Sequence, residues 1–314
     1  MVGVPRVGVC TCSMIKSTSV LSSTLQSHNL HCDDQTPTSA KQLLLSGQLN
    51  AVDFIETSPD IEGTLLEAFV EDDYDGKLHL TTLSKVDTNN NGREEIVGIS
   101  FWREVPSNEM TEWMDMYRIS KAITDRKLMS TNSTTTTSSS EKEEEDQEHY
   151  NDLSHNARKR MQLVKSDSMR WLESALQPCK NDAGGQQSLV SNSIIQKLTH
   201  SWIKIELIAI KRSHRGHHLG NILLGCTLSK AHNKTYHHNE HAILHIAGGG
   251  ASNNIPAARL YKRYGFVSIP EHGKGGPFVK PDRDLFVLGN IGSTLDKLPW
   301  DEMLLPDNPS SECG

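Results

Sequence analysis

The stretch SWIKIELIAIKRSHRGHHLGNILL, Ser201 to Leu224, decides the fold, because an alternating apolar run breaks at a basic, glycine-containing turn and restarts as a helix. Trp202 to Ile210 alternates with period two, which places Ile203, Ile205, Leu207 and Ala209 on one face of a strand. From Asn221 the spacing turns helical, with Leu224, Leu228 and Ala231 at i, i+4 and i+7. The turn RGHHLG, Arg215 to Gly220, therefore opens a helix, where unpaired backbone N–H groups and the positive dipole end favour an anion. That is a phosphate-binding layout.

Downstream, ILHIAGGGASNNIPAARLYKRYGFVSI, Ile243 to Ile269, reads as a short strand, a glycine-rich loop, a short helix and another strand. The pairing of RGHHLG with NIPAARLYKRYGF, Asn254 to Phe266, resembles the GCN5-related N-acetyltransferase (GNAT) superfamily, whose patterns are [RQ]-x-x-G-x-[GA] and then N-x-x-A-x-x-L-Y-x-x-x-G-F. Asn254, Ala257, Leu260, Tyr261, Gly265 and Phe266 all occupy their positions in the second pattern. In the first, Arg215 and Gly220 fit, while His218 stands where the family usually has glycine. The resemblance is specific over Ile203 to Phe266, extends to element order alone over Ala51 to Val105, and is absent elsewhere.

The resemblance implies a mixed α/β fold around a central, mostly antiparallel sheet, splayed where the strands ending at Ile210 and Ala247 would admit the pantetheine arm of acetyl-CoA. It implies acetyl transfer from acetyl-CoA, as cosubstrate, to a primary amine by direct attack, with no metal. Glu206 matches a position where family members carry a catalytic base, and Tyr261 one where a tyrosine protonates the departing thiolate. An alkylamine, with a pKa of ~10.4, is mostly protonated at pH 7, so a base is wanted, and a phenol suits the acid. The bland alternatives are a solvated or Lys204-associated carboxylate and a packing tyrosine sharing a helical face with Ala257, Leu260 and Tyr264. For the cofactor, the resemblance assigns Arg215, Gly216, His217, His218, Leu219, Gly220 and Asn221 to the pyrophosphate and Ile208 and Ile210 to the pantetheine. Asn254 is assigned to the pantetheine too, or caps its own helix before Pro256.

Several motifs are set aside. HHNEH, His237 to His241, spells a zinc-protease pattern but runs into a strand instead of a helix. DTNNNG, Asp87 to Gly92, begins like a calcium loop, yet its twelfth position is Gly98 where a bidentate Glu is needed, so a hairpin turn is expected. GGGASN, Gly248 to Asn253, lacks a dinucleotide layout, and Cys226 reads as a buried hydrophobe.

At 314 residues, with 36% apolar residues and a formal net charge of −7, nothing pushes the chain toward nucleic acid or a bilayer. No run approaches the roughly 20 apolar residues of a membrane span. The six cysteines, at 10, 12, 32, 179, 226 and 313, form no disulfide framework. Residues 1–50 are expected to be a disordered leader. Its early part is rich in Ser and Thr and free of acids before Asp33, a composition shared with transit peptides. A cytoplasmic location is expected, with a plastid or mitochondrion as the alternative.

Residues 51–105 form the N-terminal half of the domain: a strand at VDFIE, a helix from Ser58-Pro59-Asp60 through Leu65, Leu66 and Phe69, and a hairpin of LHLTTLSKV with EEIVGISFW. Residues 106–200 are an insertion, without apolar residues at 130–148 and hence expected to be disordered there. Its flank at Asn156 to Gln177 is amphipathic through Met161, Val164, Met169, Trp171, Leu172, Ala175 and Leu176. Residues 201–291 are the cofactor half and 292–314 a tail. Without leader, insertion and tail, about 145 residues remain, the size of one domain. The acceptor is a small cationic amine or a protein amino group, and a homodimer is compatible. EHGKGGPFVKPDRD, Glu271 to Asp284, is the loop most suited to carry acceptor choice. The alternative from another class is a non-catalytic acyl-CoA-binding or scaffold protein.

Overall fold

The computed structural model describes residues 14–50, 53–54, 78–87, 92–105, 153–176, 202–234, 240–246, 254–269 and 284–303. In chain order the elements are α1 (Met14–Ser27), β1 (Leu30–Gln35), α2 (Pro37–Leu45), β2 (Leu78–Asp87), β3 (Arg93–Glu104), α3 (His155–Leu176) and β4 (Trp202–Ile210). Then follow α4 (Leu219–Lys234), β5 (His241–Ile246), α5 (Ile255–Arg263), β6 (Val267–Ile269), β7 (Asp284–Leu288), α6 (Ile291–Lys297) and α7 (Trp300–Met303). The strands form one seven-stranded sheet in the order β1-β2-β3-β4-β5-β7-β6. Every neighbouring pair is antiparallel except β4 with β5. A parallel pair needs a crossover, and α4 supplies it. The architecture is the mixed α/β, mostly antiparallel sheet that the sequence leads one to expect.

The predicted hairpin is present: β2 and β3 pair from Leu78↔Arg103 to Asp87↔Arg93, and Gly92 takes φ +70° as the Asn-Gly turn demands. Two cores lie on opposite faces of the sheet. The larger gathers Leu83, Val97, Trp102, Ile203 and Ile205 under α4, α5 and α7. The smaller collects Leu49, Phe54, Leu78, Leu80, Ile99 and Phe101, with Leu207 and Ala209 against it. α4 is buried on nearly every side over Asn221 to Leu228, so it is a central helix rather than an amphipathic surface one.

The face assigned to β4 needs correction. Phe101 pairs with Leu207 and Trp102 with Ile205, so Glu206 is an extra residue, a β-bulge. The bulge flips the alternation: Ile203 and Ile205 pack under α4, as do Ile208 and Ile210 beyond it, while Leu207 and Ala209 move to the opposite core.

The leader and tail boundaries also need correction. Residues 14–50 are not a disordered leader: α1 buries Leu21, β1 pairs with β2 along its whole length, and α2 buries Ala40. Removing a leader that long would strip an edge strand from the sheet. Among the described side chains of α1, Leu21 and Leu25, one turn apart, anchor it amid Ser and Thr of modest helix propensity. Nor is 292–314 a tail throughout, because α6 and α7 bury Leu295, Leu298, Trp300 and Met303 in the larger core. Trp300 lies against the backbone of α4 at Gly225, where a Cβ would fall 2.7 Å from its Cη2. Tyr264 packs edge-on to the same indole at 5.9 Å. The strand expected at VDFIE does not cover Asp53 and Phe54, which lie in a turn closed by the bond from Asp53 N–H to the Asn50 carbonyl. Phe54 is buried all the same. The helix expected from Ser58, the low-complexity run 130–148, the GGGASN loop and Glu271 to Arg283 lie outside the described residues.

The amphipathic flank of the insertion is α3, and it belongs to the domain. Ala157, Met161, Val164 and Ser168 form its buried stripe, whereas Met169 is 37% exposed, contrary to the expected pattern. The expected contributions of Trp171, Leu172, Ala175 and Leu176 fall outside the described side chains. The Ser154 hydroxyl accepts from Ala157 N–H at 3.2 Å, capping α3, and donates to Glu302 Oε1 at 2.6 Å, while Ser154 N–H bonds Glu302 Oε2 at 2.7 Å. Those bonds from Ser154 hold the Glu302 carboxyl below its ordinary range. A depressed carboxylate contributes stability above its unfolded pKa and loses it as pH falls through the folded value. The difference in urea midpoint between the wild type and Glu302→Gln is therefore expected to be present at pH 7 and to close below about pH 4.

Gly265, in the second sequence motif, has φ +79°, and a Cβ there would stand 2.2 Å from Val164 Cγ1 on α3. Gly265→Ala combines left-handed strain with overpacking, a loss of about 2–5 kcal/mol. Equilibrium urea unfolding reads this directly; a loss under about 0.5 kcal/mol, the surface-substitution range, would mean α3 is not seated there.

Candidate functional site

The candidate site lies where β4 and β5 separate. Their parallel pairing runs only from Trp202↔His241 to Ile205↔Leu244, although β4 continues to Ile210 and β5 to Ile246. β5 stays in the sheet by pairing with β7 over Ala242 to Ile246, so β4 beyond the Glu206 bulge has one edge without a strand partner among the described residues. The direction of its backbone groups follows from one bond and the alternation of the strand. Lys211 N–H reaches the Val97 carbonyl on β3 at 2.9 Å, so the preceding residue faces away from β3. Alternation then turns the main-chain groups of Ile210 and Ile208 toward the gap.

At the same end the chain leaves β4 through a short 3₁₀ turn, Arg212–His214, and enters α4. Gly216 has φ +84° and His218 φ +54°, so two left-handed residues reverse the chain in three positions. The N–H groups of Gly216, His217, Leu219 and Gly220 have no backbone acceptor among the described residues. Asn221 departs from expectation. Its N–H bonds the His218 carbonyl at 2.9 Å, and its buried side chain donates to the Met303 carbonyl at 3.1 Å. Its own carbonyl accepts from the Tyr264 hydroxyl, which makes Asn221 a packing node rather than an anion contact.

Arg215 binds two carbonyls, Ile210 through Nε at 3.2 Å and Phe54 through a terminal nitrogen at 2.7 Å, and so fastens the turn to the end of β4. Around it the chain carries Lys211, Arg212, His214, His217 and His218. Lys211 is paired with Glu95 at 2.8 Å and lies 3.5 Å from Asp53; the bond to Glu95 raises the ammonium and lowers the carboxyl. Burial holds His214 below its usual value despite Glu95 nearby.

Glu206 is bracketed by cations. Arg103 Nε meets Oε1 at 2.7 Å and Lys204 Nζ meets Oε2 at 2.9 Å, all three side chains being under one-fifth exposed. Arg103 was not legible in sequence; it reaches Glu206 because register sets it opposite Lys204. Each carboxylate oxygen keeps a further lone pair.

Asn254 caps α5, its side-chain oxygen accepting from Ala257 N–H at 3.4 Å ahead of Pro256. Tyr261 is 6% exposed, with ring centroids of Phe266 and Phe286 both 5.9 Å away, and burial pushes its phenol well up. The two sequence motifs meet in space: a Cβ on Gly220 would lie 3.5 Å from Leu260 Cδ2. Of HHNEH, only Glu240 and His241 are described; His241 opens β5 and bonds the Gly289 carbonyl through Nδ1. Among the described residues no group of three His, Cys, Asp or Glu is placed to hold a metal, and no helix is long and apolar enough to cross a membrane.

No family model matches the chain, and no curated protein does. Among solved structures it is similar to an acetyltransferase of the GNAT family from Desulfovibrio desulfuricans, at 11% identity and TM-score 0.38, covering 82% of this chain and 96% of that one. It is similar to Arabidopsis thaliana NAA60 in complex with acetyl-CoA at 13% identity and TM-score 0.37, covering 82% and 97%. A Drosophila melanogaster polyamine N-acetyltransferase aligns at 12% identity and TM-score 0.35, covering 83% and 99%.

The left-handed φ at His218 costs a non-glycine residue about 1–2 kcal/mol, partly offset by the 0.5–1 kcal/mol of chain entropy that glycine loses on folding. His218→Gly is therefore expected to stabilise the chain by up to about 1.5 kcal/mol. Thermal unfolding checks this; a clear drop would show that the imidazole makes a bond worth more than the strain.

Proposed function

We propose that the chain is an acetyl-CoA-dependent N-acetyltransferase acting on a primary amine. The observation that carries this is the coincidence, at the carboxyl end of β4, of an open strand edge with a basic turn in which the N–H groups of Gly216, His217, Leu219 and Gly220 have no backbone acceptor among the described residues. An extended amide-bearing arm is matched by the main-chain groups of Ile208 and by the Ile210 N–H, as a further strand would be. A diphosphate is matched by the amides of Gly216, His217, Leu219 and Gly220 at the start of α4, with the helix dipole and the surrounding basic side chains adding attraction. Arg215 holds that turn in place, and Asn254 orders the start of α5 beside it. Bound there, acetyl-CoA supplies an activated acyl group and a thiolate leaving group.

Glu206 is the proposed base, taking the proton of the attacking amine directly or through water on a lone pair that its two cations leave open. Tyr261 is the proposed acid. Its burial keeps the phenol protonated, as a donor to a departing thiolate must be. Arg103 and Lys204 already offset the charge of Glu206, so that carboxylate does not by itself select a cationic acceptor, and the acceptor remains a primary amine of small-molecule or protein origin. The same two ion pairs favour a second reading, a non-catalytic acyl-CoA-binding protein in which Glu206 serves only to join β3 to β4.

Turnover separates the two. Purified chain is expected to release CoA thiol from acetyl-CoA with polyamines, amino sugars, amino acids or peptides as acceptors. Glu206→Gln and Tyr261→Phe should each lower kcat by about 10²-fold or more while calorimetric binding of acetyl-CoA is retained. Binding without turnover on any amine supports the second reading, and full activity in both variants removes the proposed roles.

A further inference from the structure

Cys32 and Cys226 lie far apart in sequence and come together between β1 and the second turn of α4. The strand and the helix are in direct contact, Cys226 is 2% exposed within the larger core, and Cys32 is half-buried and packed against that core. Of the groups around the Cys32 thiol, the Cys226 sulfur is the one that bears on it most. Register explains the meeting. Cys32 stands opposite Leu83 of β2, and both side chains point to the face that α4 covers. Lys230, one turn beyond Cys226, and Asp34, two positions along β1, are the charged groups that bear on Cys32.

We propose that Cys32 and Cys226 form a reversible dithiol–disulfide pair, oxidised by low-molecular-weight disulfides such as glutathione disulfide. The half-buried Cys32 is the entry point. Its thiolate attacks one sulfur of glutathione disulfide, and one glutathione leaves as thiolate. The Cys226 sulfur then attacks Cys32 in the mixed disulfide, displacing the second glutathione. Two protein thiols are oxidised to one disulfide, their two protons pass to the two departing glutathione thiolates, and one glutathione disulfide is thereby reduced to two glutathione thiols. The neighbouring sulfur and burial raise the Cys32 thiol, so oxidation is slow at neutral pH and quickens in alkali, with Lys230 as the opposing, thiolate-favouring charge. The bond would fasten the edge strand β1 to the helix whose first turn carries the basic loop. It closes a loop of most of the chain, the case in which a cross-link restricts the unfolded state most. None of this depends on the proposed enzymatic activity.

The test uses the full chain with Cys10, Cys12, Cys179 and Cys313 replaced by Ser, incubated with glutathione disulfide at pH 8. Expected are loss of both remaining thiols to an alkylating reagent, a Cys32–Cys226 linked peptide under non-reducing digestion, and reversal by dithiothreitol. The melting temperature should rise by about 5–10 °C. Cys32→Ser in the same background, a change at a half-buried position, should abolish both link and shift, so the test does not rest on a Cys226 variant folding. Arrest at a Cys32–glutathione mixed disulfide with Cys226 still alkylatable overturns the proposal, as does a linked species that melts lower than the reduced one.

Discussion

Among the described residues, four pairs, Trp202↔His241 to Ile205↔Leu244, join the two halves of the sheet. On one side stand β1 to β4 and on the other β5, β7 and β6. So short a parallel junction is weak by itself, and the helices around it supply what the ladder lacks. α4 crosses the junction and is buried from Asn221 to Leu228; Tyr264 reaches from the end of α5 to the Asn221 carbonyl, and Trp300 closes over Gly225. The separation of β4 from β5 beyond Ile205 is tolerated because this packing holds both strands from one face.

That arrangement explains why α1, α3, α6 and α7 belong to the domain. α4 is apolar around its circumference and must be covered on the sides the sheet does not reach. α1 covers one side and α6 with α7 another, while α3 seals the β6 and β7 end through Val164 on Gly265 and Ser168 on the Gly289 N–H. A domain of only residues 51–105 and 201–291 would leave this central helix exposed.

What was legible in the sequence follows from the range of the signal. The β4–turn–α4 unit and the Asn254 cap are local, written in alternation, helical spacing and Asn-x-Pro order. α1 and β1 are not, because Leu21, Leu25, Leu30 and Cys32 are sparse apolar points among polar residues, and only tertiary contact makes them a helix and a strand. Arg103 at Glu206 depends on strand register, which a single sequence does not specify. His218 stands between these cases. Its departure from the glycine of the resembling pattern was visible, and φ +54° shows what glycine is for at that position.

The bulge at Glu206 was wholly hidden, since WIKIELIAI reads as unbroken alternation. Its consequences are the larger ones for the site. Without the extra residue, alternation would turn the main-chain groups of Leu207 and Ala209 toward the gap and those of Ile208 and Ile210 toward β3. The side chains of Leu207 and Ala209 would then lie under α4, and those of Ile208 and Ile210 would change faces with them. One inserted residue thus sets which amides line the open edge and which apolar groups fill each core. It also places the carboxylate at the point where regular pairing ends, and the Arg103 and Lys204 ion pairs hold it there. An ion pair on each oxygen fixes the position of the carboxylate and leaves each oxygen a further lone pair.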